Sequence, residues 1–149
     1  MPPPNQTGVT MSYEFDNIEE LQRDRAIEAE GTELGLPGDI TLIVSAASDA
    51  NPSWRAASPA IMKELRRLRN ARANNEQLRK YLAPMYARHL VKGWRGVKSR
   101  GIDLPFSVEA CTAFLLAADD AYAAVDQIVY DTQNFRGARV EALVERVGN

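Results

Sequence analysis

The residues of this sequence that could carry out chemistry are few. There is one histidine, His89, and one cysteine, Cys111. A Cys–His nucleophile pair needs a third group that orients the base, and both residues lie in apolar patterns with no such group evident. A zinc site needs a larger set of His and Cys ligands than this chain contains. We therefore expect His89 to face the core or a partner, and we predict no catalytic residue, no metal and no cofactor.

Acidic pairs and glycines offer no better catalytic pattern. The acidic pairs at residues 19–20 and 119–120 are adjacent in sequence, so their side chains would point in different directions on a helix. Helix caps or a solvated surface explain them better. The spacing of Gly31, Gly35 and Gly38 matches neither a P-loop nor a dinucleotide-binding fingerprint. These patterns predict a binding protein rather than an enzyme.

Charge is distributed unevenly along the chain. The net charge is −2 overall, but residues 1–53 carry −8, residues 54–100 carry +11 and residues 101–149 carry −5. The basic middle could be a solvated surface that pairs with acidic neighbours of the same chain or of another copy. It could instead dock a polyanion or an acidic partner. We expect a protein rather than nucleic acid, because the acidic flanks would repel phosphates and no aromatic residue interrupts the basic run. The candidate partner-binding residues are Lys63, Arg66, Arg67, Arg69, Arg72 and Trp94.

The N-terminal part predicts a tail, a short helix and a strand. Residues 1–12 are rich in Pro, Asn, Thr and Gly and predict a disordered tail. A short helix is expected over residues 17–30. Residues 39–45 are the one convincing strand, with β-branched residues after turn signals. Because one strand cannot stand alone, it must pair with residues near 32–36 or with another subunit.

A pair of helices should follow. From Trp54 an apolar repeat keeps the helical period, with basic residues on the other faces. Asn74 and Asn75 break this helix, and a second helix begins near Glu76, with a kink or a restart at Pro84. The apolar side of this helix pair could supply a groove for a partner, with the basic residues as its rim.

The C-terminal part predicts further short helices. Residues 98–105 read as a loop, and Ser107 should cap the helix that follows it. Another helix begins at residue 119 or 120, and a last one carries Val140, Leu143, Val144 and Val147. We therefore predict a mainly α fold. Residues 13–149 would form a single compact helical domain of about five short helices, with one short strand or hairpin near residues 32–45.

A series of short motifs in a particular order resembles a known family. The strand at 39–45 leads into Asn51-Pro-Ser-Trp54 and a basic helix, and a Gly-Trp pair ends the next helix before a loop into Pro-Phe-Ser. In this order the motifs resemble the tail assembly chaperones of long-tailed bacteriophages, over about residues 25–149. Members often carry Asp-Gly in the loop before the proline, and this chain does not. The motif residues are Gly93, Trp94, Pro105, Phe106, Ser107, Asn134 and Phe135.

The resemblance implies an assembly factor rather than an enzyme. Such chaperones bind the tape measure protein, keep it soluble and help recruit tail tube subunits in the host cytoplasm. Glycine at 93 would allow the helix to end, and Trp94 would pack over the turn as a core residue or contact a partner. No apolar run of the sequence is long enough for a bilayer. Two other functions stay open: a structural virion component, such as a head–tail connector or completion protein, and a small nucleic-acid-binding regulator.

Overall fold

The structure, a computed structural model, describes residues 12–136. The predicted disordered tail therefore lies outside the described residues except for Ser12, and so does the predicted final helix from Val140 to Val147. The elements of the first part are a 3-10 turn at Glu19–Leu21, helix α1 at Arg25–Glu30, strand β1 at Thr32–Leu36 and strand β2 at Ile40–Val44.

Two long helices and a third strand form the middle of the chain. Helix α2 spans Pro52–Asn70, helix α3 spans Asn75–His89 and strand β3 spans Val91–Arg95. Asn51 caps α2, accepting a hydrogen bond from the amide of Trp54 at 3.3 Å. Asn74 and Gln77 form a capping box at the start of α3, with two reciprocal bonds of 2.8 Å. Helix α3 runs without a break through Pro84, so the predicted restart there is wrong.

The last described part holds a small hairpin and two more helices. Strands β4 (Lys98–Ser99) and β5 (Ile102–Asp103) pair with each other, α4 spans Val108–Ala117, α5 spans Asp119–Val129, and a 3-10 turn covers Thr132–Phe135. The chain reverses between β4 and β5 at Arg100 and Gly101, which both have positive φ. The sequence-based prediction of a plain loop over residues 98–105 missed this hairpin.

An antiparallel sheet of order β1-β2-β3 organises the fold. Leu42 in the central strand lies opposite Leu34 on one side and Trp94 on the other. Side chains from this face of the sheet join those of α2, α3, α4 and α5 in one core, in which Leu42, Tyr86, Leu115 and Phe135 are fully buried. The predicted pairing of β2 with residues 32–36 is confirmed.

The predicted fold class is wrong. The described residues contain five α-helices together with two antiparallel sheets, which makes the fold mixed α/β rather than a helical domain with one strand or hairpin. Strand β3 escaped prediction because it has a lysine and a glycine among its five residues and follows the helix directly. Its pairing with β2 joins segments about fifty residues apart, which local patterns do not encode.

The predicted helix over residues 17–30 is divided in two. Gln22 is extended, with ψ 143°, and separates the 3-10 turn from α1. Asp24 then caps α1 by accepting a hydrogen bond from the amide of Ile27 at 3.1 Å. Gly31 ends the helix, with φ +105°. A Cβ atom there would lie 2.9 Å from the carbonyl oxygen of Val44, so glycine also permits the start of β1 to approach β2.

Candidate partner-binding surfaces

The predicted basic residues lie together on the outside of α2. Trp54, Ile61 and Leu65 point into the core, and the helical period therefore turns the basic positions toward solvent. Arg72 follows in the turn after the helix, with φ +60°. We call Lys63, Arg66, Arg67, Arg69 and Arg72, all of them exposed, the basic face.

Within residues 12–136, most of the basic face carries positive charge that no salt bridge offsets. Arg67 forms a two-pronged ion pair with Glu64, with N–O distances of 2.6 and 2.7 Å, which lowers the pKa of Glu64. Among residues 12–136, no salt bridge involves Lys63, Arg66, Arg69 or Arg72. This surface can therefore attract an acidic partner over roughly the Debye length of about 10 Å.

The apolar side of the helix pair does not form the expected groove. Trp54, Ile61 and Leu65 of α2 are buried in the core, together with Leu82 and Tyr86 of α3. The three strands of the sheet, helices α4 and α5 and the 3-10 turn after α5 supply most of the other members of that core, so the space that a partner was expected to fill is occupied by the chain itself.

Trp94 lies in a strand rather than at a helix end. It is half-buried, and its ring packs edge-on against Phe106 and Phe114, with centroid distances of 5.2 and 5.5 Å. The indole Nε1 donates a hydrogen bond to the carbonyl oxygen of Leu104 at 2.8 Å. The expectation that Trp94 packs over a helix terminus is wrong, because β3 follows α3 after the single residue Leu90. Its contacts join the sheet to the start and middle of α4.

The glycine with a special backbone role in this region is Gly96, not Gly93. Gly93 has open space where a Cβ atom would lie and no positive φ. Gly96 has φ +85°, and a Cβ atom there would lie 2.1 Å from the carbonyl oxygen of Asp39. Gly96 therefore allows the end of β3 to approach the β1–β2 turn closely.

The remaining motif residues have structural contacts. Ser107 caps α4, as predicted, by accepting a hydrogen bond from the amide of Ala110 at 3.0 Å. Pro105 before it is exposed. Asn134 donates from Nδ2 to the carbonyl oxygen of Ile128 at 3.1 Å, and the adjacent Phe135 is fully buried. The final 3-10 turn is thereby tied to α5.

A surface groove that the sequence did not predict lies between the β1–β2 turn and the α4–α5 junction. Its volume is about 340 Å³. All but one of the lining residues are apolar, and the exception, Asp120, is exposed. We call it the apolar groove; it is lined by Leu36, Pro37, Ile40, Phe114, Ala118, Asp120, Ala121 and Ala124.

A buried carboxylate was also missed. The side chain of Glu28 is 0% exposed, and it accepts hydrogen bonds from Arg23 at 2.5 and 3.0 Å and from Ser48 at 2.7 Å. Arg23 also pairs with Asp49 at 2.9 Å. These bonds, with that of Arg23 first, hold the pKa of Glu28 below its usual range. The sequence shows Glu28 as one more acid in an acidic segment. Arg23 lies five residues before it, but Ser48 lies twenty residues after it, and that contact gives no local signal.

A group of tyrosines joins α3 to α5. Tyr86 donates a hydrogen bond to Asp126, and its hydroxyl lies 2.9 Å from that of Tyr130. The ring of Trp54 packs against Tyr130 with centroids 6.1 Å apart. Burial, and then the bond to Asp126, raises the pKa of Tyr86. This partly buried network joins the two helices to each other.

His89 and Cys111 lie apart in different environments. His89 is half-buried, with Nδ1 2.6 Å from the hydroxyl oxygen of Ser53, and burial lowers its pKa. Cys111 is buried in α4, and burial raises its thiol pKa to about 12. Among residues 12–136, no cluster of three His, Cys, Asp or Glu side chains is placed to hold a metal ion. No helix in that range is both long and apolar enough to cross a bilayer.

Comparison with known proteins places the chain in a family. A family model described as YdaY prophage protein matches residues 49–146. This chain belongs to the YdaY prophage protein family. The expected phage origin is therefore confirmed, and the match includes the basic face of this YdaY-family chain but not its β1–β2 hairpin. No curated protein and no solved structure matches it.

Proposed function

We propose that this protein is a phage tail assembly chaperone that binds the tape measure protein and helps recruit tail tube subunits in the host cytoplasm. Its membership of a prophage protein family supports a role in a phage. The order of the sequence motifs, from residues 39–45 to Phe135, supports the narrower role in tail assembly.

The observation that carries the proposal is the exposed basic face. Its side chains project from a long helix whose other side is anchored in the core, so the charges sit on a firm support. Acidic stretches of a helical partner would be drawn to such a surface, and complementary charge mainly speeds association and selects the partner. Nucleic acid is a poorer candidate, because the part of the chain before α2 is strongly acidic.

Co-purification tests the binding step. The full chain would be expressed with the tagged tape measure protein of the same prophage, alongside the double reversal Arg66→Glu and Arg69→Glu. A control reverses Lys98 and Arg100, which are also exposed and give the same change in net charge. We expect the wild type and the control to co-purify with the tape measure protein, and the α2 variant to be recovered at least about tenfold less.

Three results would count against the proposal. If all three forms co-purify equally, the basic face is merely solvated. If mass spectrometry finds the protein in mature virions in stoichiometric amounts, a head–tail connector or completion protein fits better. Duplex DNA binding that weakens steeply with salt would favour a nucleic-acid-binding regulator instead.

A further inference from the structure

We propose that the apolar groove binds an amphipathic helix of a partner protein, with lysine or arginine flanking the apolar stripe of that helix. This deepens the proposed function, since it rests on the protein acting by protein binding and assigns a separate site to it. The groove is distinct from the basic face, which lies on α2.

The lining of the groove suits a helix. Ala118, Ala121 and Ala124 repeat every third residue at the start and middle of α5, so one side of the groove is made of short side chains. Short side chains let the backbone of a partner approach closely. Leu36 and Ile40 supply larger apolar surface from the hairpin on the other side. An amphipathic helix binds such a groove through apolar residues spaced three and four apart.

Polar contacts hold the elements that line the groove. Arg79 of α3 donates to the carbonyl oxygens of Leu115 and Leu116 at 2.9 and 2.5 Å, and it pairs with Asp119 at 2.5 Å. These bonds fix the end of α4 and the start of α5. The β1–β2 turn is held by its close contact with Gly96. A preformed groove loses little conformational entropy on binding, which favours affinity.

The charge at the rim selects the partner. Asp120 lines the groove and is exposed, and exposed Asp39 lies in the turn between Pro37 and Ile40. No lysine or arginine lines the groove, and Arg79 is engaged by Asp119 and by the end of α4. Lysine or arginine beside the apolar stripe of the partner helix would complement these aspartates, as charges of opposite sign do at the rims of interfaces.

The chain itself offers no matching occupant among its described residues. The N-terminal segment exposes Tyr13, Phe15 and Leu21, but Glu14 and Asp16 lie between them, and these acids would be repelled by the rim. The basic face has the right charge, yet its exposed residues are basic rather than apolar. Among residues 12–136, charge and apolar content together therefore exclude these two segments, and the proposal takes another protein as the occupant.

Peptide binding to the full-length protein tests the proposal. The probe is a fluorescent synthetic helix of about 16 residues, roughly four turns, with leucines in one stripe and flanking lysines. Two control peptides carry glutamates in place of the lysines, or the same residues in scrambled order. Fluorescence anisotropy should show the lysine peptide binding at least about tenfold more tightly than either control, with affinity falling as salt is raised.

Neighbouring positions on α5 provide matched protein variants. Ala124 lines the groove, whereas Ala123 is exposed outside it. Ala124→Arg fills the groove and adds a positive charge, so we expect peptide affinity to fall at least about tenfold, and Ala123→Arg to change it less than about twofold. Circular dichroism and thermal melting check that both variants fold.

The outcomes separate this proposal from the proposed function. Equal binding by the two arginine variants, or equal binding of the lysine and glutamate peptides, would overturn the groove assignment. A change of oligomeric state in Ala124→Arg without peptide binding would make a second copy the occupant, which also overturns it. If the peptide binds the groove but the tape measure protein does not co-purify, the proposed chaperone function is wrong and the groove assignment is kept.

Discussion

Replacing Glu28 by glutamine tests whether a buried ion pair holds the N-terminal segment to the domain. Glutamine keeps the shape of the side chain, and its oxygen can still accept the hydrogen bond from Ser48. The substitution removes the charge that two Arg23 donors share, at 2.5 and 3.0 Å. Arg23 keeps its contact with Asp49 and is 32% exposed, so water can solvate it in the variant.

The expected loss follows from these contacts. A hydrogen bond to a charged group contributes about 1.5–3 kcal/mol, and the solvation of Arg23 avoids the larger penalty of leaving a charge buried and unpaired. We expect Glu28→Gln to lower the free energy of unfolding by about 2 kcal/mol, and the melting temperature by about 4–8 °C. Urea denaturation followed by circular dichroism measures the first quantity, and a thermal melt measures the second.

Glu33→Gln is the matched control. Glu33 also pairs with one arginine, Arg95 at 2.9 Å, but both side chains are about half exposed. Exposed pairs contribute little, so we expect a loss below about 0.5 kcal/mol. Equal losses in the two variants, or a loss below about 0.5 kcal/mol for Glu28→Gln, would refute the argument that burial makes the Arg23 contact important.

The effect of Glu28 should also depend on pH. Its pKa is lowered from the ordinary 4.5 in the folded state, so the carboxylate stabilises the fold above that value. As pH falls below 4.5 toward the folded pKa, the carboxylate is protonated and the stabilisation is lost. The stability difference between wild type and Glu28→Gln should therefore be constant near neutral pH and shrink in acid. A difference that persists unchanged in strong acid would mean that charge is not its origin.

Three further predictions concern the sheet and the core. Gly96→Ala should lower the free energy of unfolding in urea by at least about 2 kcal/mol, because φ is positive and the new Cβ would meet Asp39. Gly93→Ala should change the free energy of unfolding by less than about 0.5 kcal/mol. The opposite order would contradict the strand assignment. Trp94→Ala should lower the free energy of unfolding by about 3 kcal/mol, which is at the low end for large aromatic truncations because the ring is half-buried. An unchanged melting temperature would show that its aromatic contacts do not support the fold. The Cys111 thiol, with a pKa of about 12, should react with Ellman's reagent at least about a hundredfold more slowly in the native protein than in urea, and equal rates would mean that the thiol is not buried.

Local signals predicted the ends of helices better than the arrangement of strands. Ser107 before an apolar run is a short-range pattern in which a side-chain oxygen meets a nearby amide, so this cap could be recognised in isolation. Strand β3 could not be recognised in isolation, because it forms only by pairing with β2 across about fifty residues. The error at Gly93 and Trp94 came from the same cause: a Gly-Trp pair after a helix fits a helix end and a short strand equally well.

The two candidate binding surfaces also differ in whether the sequence could predict them. The positions of the basic residues on α2 followed from the helical period, since once the apolar residues face the core the others must face solvent. The apolar groove could not be found in this way, because its lining comes from the β1–β2 turn and from α4 and α5, which folding brings together. The groove expected between α2 and α3 is filled because the sheet and the later helices cover it.

The sequence by itself determined the charge pattern, the Ser107 cap and the outward direction of the basic face, and it indicated residues near 32–36 as one of two possible partners of β2. Each depends on residues close together in the chain, whose geometry is set by local hydrogen bonding and periodicity. The tertiary structure decided the third strand, the burial of Glu28 beside Ser48, the place of Trp94 and the apolar groove. Each of these depends on distant segments meeting, and the free energy that selects such meetings comes from burying the shared core.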